Sequence, residues 1–211
     1  MGQKKFVLAV WVALMVCVGT QAFALNAMQE AITKAGLKME DVRAVTTFYY
    51  QNPQPEKMVA VLKVLVTVDE LTQDSAHFPM IAHIFATAAY SNKALKDQMI
   101  MLKDSLSGGA TTILENIIKE ADNLESPKAD SVEHVNLLWA EFFATGKPEP
   151  VKKVIAALGT AVSGADNNKL VGIIQWSLSS NVKQHKIVYQ IVKDESVHAT
   201  GVLKDVLEKM L

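Results

Sequence analysis

LLWAEFFATGKPEPVKKVIAAL, residues Leu137–Leu158, is the stretch whose reading decides the fold. Trp139, Phe142 and Phe143 stand at i, i+3 and i+4, so they form one apolar stripe on a helix. Gly146 can take the positive φ that closes a helix. Pro148 and Pro150 stop the old helix from continuing, and Pro150 suits the first turn of a new one. Val151, Val154, Ile155 and Leu158 make the next stripe. These residues predict two helices joined by a tight corner, and nothing in them is chemistry.

The same grammar runs through the rest of the chain. Apolar residues recur at 3–4 spacing and no segment alternates for long, which predicts an all-α fold. Helices are expected over residues 25–35, 40–51, 57–69, 75–91, 94–106, 111–124 and 131–145. Further helices start at Pro150, span 170–180 and 186–193, and begin finally near Asp194. KMVAVLKVLVTVD, Lys57–Asp69, is apolar nearly all round, so this helix is expected to be the most buried. Its five valines would also suit a strand; Pro55 just before it and its length favour a helix. Tyr49 and Tyr50 are neighbours, about 100° apart on a helix, so one of them should reach the surface or a groove. Glu125–Asp130, with Pro127, is the expected hinge. Ser131 is expected to open the helix after it, and Asp166 to cap another.

A repeat supports the corners. Phe48…Pro53-x-Pro55-x-Lys57-x-Val59 matches Phe143…Pro148-x-Pro150-x-Lys152-x-Val154 at a constant offset of 95. Corners at Asn52, Asn92, Gly146 and Asn181 follow one plan, in which an apolar helix end is followed by Asn or Gly in a left-handed conformation. Their spacing of 35–54 residues is that of helical-hairpin repeats. The expected architecture is an irregular array of stacked hairpins, in the manner of an α-solenoid.

The first 24 residues read as a separate object. Lys4 and Lys5 precede an apolar run over Phe6–Val18, and Ala22-Phe23-Ala24 is a small-x-small cleavage pattern. The run is too short to span a bilayer. The expectation is a signal peptide over 1–24 and one all-α domain over 25–211, exported to the periplasm or secreted. Cleavage would remove Cys17, the single cysteine, and so every route to a disulfide or a thiolate site. Removing Lys4 and Lys5, with no acid, changes the net charge from −1 to −3. With its charges interspersed, such a chain has no strong field to steer it to nucleic acid or anionic lipid.

WAEFFATG (Trp139–Gly146), AAYSN (Ala88–Asn92) and WSLSSNVKQHKIV (Trp176–Val188) resemble the corners of a family of small exported bacterial helical proteins with no assigned activity. The resemblance spans about half of residues 25–211, mostly 88–188. It implies an envelope or secreted helical protein and brings no catalytic residues with it.

Candidate sites are few. Glu195-x-x-His198 has metal-ligand spacing, but a di-iron bundle needs two such pairs and further carboxylates. His77 and His83 fall on different helix faces, and His134 follows Glu133 near a helix start. His185, four residues past Asn181, is placed to bond a neighbouring helix's free carbonyls at a corner. Glu115 and Glu120 are scattered surface carboxylates. Trp139, Phe142, Phe143 and Trp176 are expected in the core. No nucleophile elbow or phosphate loop is present. No catalytic, cofactor-binding or metal residue is therefore assigned. The chain reads as an interaction or scaffold protein with a protein or peptide partner. The alternatives are a carrier of a small apolar ligand among Met28, Met39, Met58, Met80, Met99 and Met101, and a hydrolase using His185 or His198.

Overall fold

In the computed structural model, residues 21–72, 78–162 and 168–211 are described, and every regular element among them is a helix. The chain runs α1 (Gln21–Lys34), α2 (Met39–Thr46), a 3₁₀ turn at Tyr49–Gln51, α3 (Pro55–Leu65), α4 (Asp69–Thr72) and α5 (Phe78–Ser91). It continues through α6 (Lys93–Leu102), a second 3₁₀ turn at Lys103–Ser105, α7 (Gly109–Asp122), α8 (Val132–Thr145) and α9 (Pro148–Val162). The last helices are α10 (Asn168–Gln184), α11 (Lys186–His198) and α12 (Gly201–Glu208). Residues 1–20, the expected Asp166 cap and His77 lie outside the described residues, and the expected cut after Ala24 falls within α1.

Helix prevails over strand in the valine-rich segment, where Met58, Val61, Leu62 and Leu65 are buried on α3. This is not the most enclosed helix, because Lys57 and Lys63 keep one side of it in water. That place belongs to α5, on which every residue from Ile81 to Ala89 is buried. Helices α6, α7 and α8 surround it, and α8 makes the most extensive contact. Small residues allow this. Ala82, Ala86 and Ala89 on α5 and Ala140 and Ala144 on α8 share one apolar cluster. At i, i+4 and i+7 spacing, such a row lets two backbones come close.

Two apolar clusters meet on α8. The first takes Ala140 and Ala144 together with side chains from α1 to α7. The second takes Val135, Leu138, Trp139, Phe142 and Phe143 together with α9 to α12. The expected burial of Trp139, Phe142 and Phe143 is what the structure has. Trp176 is a correction, because it is 46% exposed. The inward stripe of α10 is Leu170, Ile174, Leu178 and Val182, and a residue two past Ile174 is turned about 200° from it.

Three of the four corners also need correction. Of the four corner residues, Gly146 is the one with a positive φ, at 66°. There the Gly146 N–H donates to the Phe142 carbonyl at 2.7 Å, closing α8 as its sequence predicts. Asn52 follows a 3₁₀ turn with φ −150°. Asn92 starts a helix instead of ending one: its side chain accepts the Leu95 N–H at 3.1 Å, as an N-cap does. Asn181 lies inside α10, because its carbonyl accepts the His185 N–H at 2.8 Å and carries the helix past it. The corner is His185 itself. The final break also moves, from near Asp194 to residues 199–200, so Glu195 and His198 end α11 rather than start the last helix.

The contrast between the two aromatics can be measured. Phe143→Ala should cost about 3–5 kcal/mol, as large-to-small core changes do. Trp176→Ala should stay within about 1 kcal/mol of the parent. Denaturant midpoints check both, and equal losses would contradict the placement of Trp176.

Candidate functional site: two buried histidines

His83 is a basic residue on the most enclosed helix, and only 3% of it is exposed. Its Nδ1 lies 2.5 Å from Glu120 Oε1 on α7, and its Nε2 faces Glu141 Oε1 on α8 at 3.5 Å. Burial alone would push its pKa down; the hydrogen bonds its ring N–H groups donate to Glu120 and then Glu141 outweigh it and raise the pKa to about 9. The imidazole is therefore a cation between two carboxylates at neutral pH. Glu141 is itself buried, and its other oxygen, Oε2, accepts the Ser126 hydroxyl at 2.8 Å. Lys153 on α9 donates to Ser126 Oγ at 2.6 Å and to the Pro127 carbonyl at 3.4 Å. The segment expected as a hinge is thus tied down at Ser126 and Pro127. A polar chain runs from Lys153 through Ser126, Glu141 and His83 to Glu120 and joins five parts of the fold.

His185 is the opposite case. It is fully buried at the start of α11, with its backbone N–H held by α10. Phe48 and Phe143 lie roughly parallel to its ring, at 4.8 Å and 5.4 Å between centroids and 30° and 29° between planes. Phe142 meets it edge to face at 5.5 Å. Burial first, and Arg43 second, hold its pKa at about 4, so it is neutral. Arg43 in turn sits 4.8 Å over the Phe48 ring, a cation–π contact. The Nδ1 of His185 lies 3.0 Å from the Tyr50 hydroxyl, which also accepts from Gln51 Nε2 at 3.0 Å. When Tyr50 donates to Nδ1, the imidazole proton is on Nε2, which is buried and has no hydrogen-bond partner among the described residues. His185 does sit at a corner, but its ring bonds a tyrosine hydroxyl, not the helix carbonyls that the sequence predicts. Of the adjacent tyrosines, Tyr49 is buried and Tyr50 half-buried. The repeated motif also gains a meaning, because its two phenylalanines, Phe48 and Phe143, meet on this one imidazole.

The remaining candidates do not converge. Glu195 pairs with Lys152 at 3.0 Å, while His198 at the end of α11 is exposed. His134 contacts Asp130 at 2.5 Å, and its backbone N–H is capped by Ser131. Glu115 pairs with Lys103 at 2.7 Å. Among the described residues, no group of three or more His, Cys, Asp or Glu side chains is arranged to hold a metal. Met28, Met58 and Met99 fill the first apolar cluster. A groove along α1 is lined by Asn26, Gln29, Glu30, Thr33 and Lys34.

Glu141 and its pairing with His83 are absent from the sequence reading. The signal was nonetheless there: one carboxylate inside the apolar run of WAEFFATG, and one histidine inside FPMIAHIFATAA, residues 78–89. Two lone ionisable residues on apolar helices ask for one another. No protein-family model, curated protein or solved structure matches this chain.

Two outcomes follow from the geometry. A Cβ added at Gly146 would stand 2.6 Å from Tyr50 Cδ2 and 3.0 Å from Tyr50 Cβ, at a φ of 66°. Gly146→Ala should therefore cost about 2 kcal/mol or more, above the strain of the φ alone, and the denaturant midpoint reads it. The histidines bend stability in opposite directions. His83 is raised from 6.5 to about 9, so its contribution is complete below pH 6.5 and is lost as pH climbs through about 9. His185 is lowered from 6.5 to about 4, so its contribution is present above pH 6.5 and is lost as pH falls through about 4. Unfolding free energy should peak near pH 6.5. His83→Gln should flatten the alkaline limb and His185→Gln the acid limb, and a variant that leaves its limb unchanged would contradict the assignment.

Proposed function

We propose that this chain is an exported helical-hairpin protein of the bacterial envelope or exterior that binds a partner protein. The observation that carries this reading is a set of exposed apolar side chains at the end of α5 and along the outer side of α6. Tyr90 is 63% exposed, Ile100 45% and Met101 65%. Ile100 and Met101 share the outer side of α6 with Lys93, Ala94 and Asp97, opposite the buried Leu95, Met99 and Leu102. Lys93 and Asp97 pair with each other there at 2.7 Å. Tyr90 stands in the last turn of α5, just before Asn92 opens α6. Aromatic and methionine side chains around a small charged pair suit a protein partner, because tyrosine brings large contact area and methionine adapts its shape. The leader over 1–24 and the resemblance of AAYSN to exported proteins support the compartment. The carrier reading loses support from its own methionines, three of which are packed inside the first cluster.

The test is affinity capture from the envelope fraction with the processed protein, identified by mass spectrometry. The exported form should begin at Leu25. The double variant Tyr90→Ser, Met101→Ser should keep its thermal midpoint within a few degrees and lose the captured partner. Undiminished capture would remove this surface from the interaction, and a chain retaining Lys4 and Lys5 would mean an uncleaved anchor and overturn the reading of a released, soluble protein.

A further inference from the structure

The near-neutral charge of the whole chain conceals a local imbalance. Between Asp166 and Asp194 there is no acidic residue and there are four lysines, in a sequence whose bases and acids otherwise nearly balance at 21 and 22. This stretch is α10 and the first two turns of α11; Asp194 and Glu195 come only in the last turns of α11. Lys169, Trp176 and Lys183 follow each other at seven-residue spacing, so they lie within about 20° of one line along α10. That line is opposite the inward stripe of Leu170, Ile174 and Leu178, and all three residues are exposed. On α11, Lys186 and Lys193 repeat the seven-residue spacing on the side away from Val188, Ile191 and Val192. Helices α10 and α11 pack on each other and both pack on α9, so the two rows belong to neighbouring outer surfaces. Among the described residues, none of these four lysines stands in an ion pair with a carboxylate.

We propose that the outer side of the α10–α11 hairpin is a peripheral docking surface for an anionic phospholipid bilayer. Charge complementarity selects the sign: four lysines with no interposed acid meet a negative headgroup layer without repulsion, each adding to the attraction. The exposed tryptophan selects lipid over an acidic polypeptide. Indole is at home at headgroup depth, where its apolar body enters the acyl boundary and its N–H stays wet, and flanking lysines reach outward past it. Ile187 and Tyr189, both 37% exposed, add apolar and amphipathic side chains at the same end of the hairpin. Attachment is to the surface, since among the described residues no helix is long and apolar enough to cross a membrane. This surface uses none of the α6 residues assigned to a protein partner.

The experiment is co-sedimentation of the processed protein with vesicles of phosphatidylcholine alone and of equal phosphatidylcholine and phosphatidylglycerol. Trp139 is buried and Trp176 exposed, so a blue shift in emission on binding reports Trp176. Binding to the anionic vesicles should exceed binding to the neutral ones by about tenfold or more and fall as salt shortens the Debye length. Lys183→Glu with Lys186→Glu should lower it by at least about tenfold, and Trp176→Phe should abolish the emission shift. Equal binding to both vesicles, no binding, or binding without an emission shift would overturn the proposal. Competition by polyglutamate as strong as by anionic vesicles would replace the lipid with an acidic polypeptide.

Discussion

The positive charge of His83 is the constraint around which the first half of this fold is arranged. A cation within the most enclosed helix is tolerable only when opposite charge is brought to it. Glu120 and Glu141 arrive from two different helices to do so. Each geometric decision near it follows: small residues let α5 and α8 come close, and that approach sets Glu141 against the imidazole. Ser126 then satisfies the second oxygen of Glu141 and brings the crossing segment with it. Replacing the triad with apolar residues could leave stability unchanged, whereas deleting one member leaves a buried charge alone. The ionic cluster therefore specifies which helices meet more than it adds to the total free energy.

The second half is arranged on a different principle. His185 is kept neutral by aromatic rings and by the nearby Arg43, with one nitrogen bonded to Tyr50. It joins the segment before α3, the end of α8 and the corner between α10 and α11. The same residue type thus serves as a cation in one cluster and as an apolar ring in the other. Carboxylates on neighbouring helices decide the first case, and phenylalanines with an arginine behind them decide the second.

The class of fold was legible because period-3.6 patterning is local, and Gly146 was legible because only a residue without Cβ fits its φ and its distance from Tyr50. The asparagine corners are not legible in the sequence, because Asn both tolerates left-handed backbone and caps helix starts, and spacing does not separate the two uses. Asn181 shows the further difficulty: a helix continues if the next carbonyl finds its N–H, which depends on what packs against it. Trp176 was placed in the core on residue type alone; counting its angle from Ile174 would have turned it outward. Glu141 was hidden among aromatics, and its meaning required knowing that α5 and α8 are neighbours. Long-range pairing of lone charges is not written in local periodicity.

The sharing of α8 by both apolar clusters bears on how the chain can be divided. Val135, Leu138 and Phe142 turn to one cluster while Ala140 and Ala144 belong to the other, so neither half has a complete interior without this helix. A break in the backbone between Asn123 and Ser131 would separate α8 from α1–α7, yet leave Ala140 and Ala144 needing α5 and Glu141 needing His83. Two such pieces, mixed, have every reason to find each other and reassemble. Either piece alone would expose an alanine-lined seam or an unpaired buried charge, so the protein is cooperative across its whole described length even though its core is double.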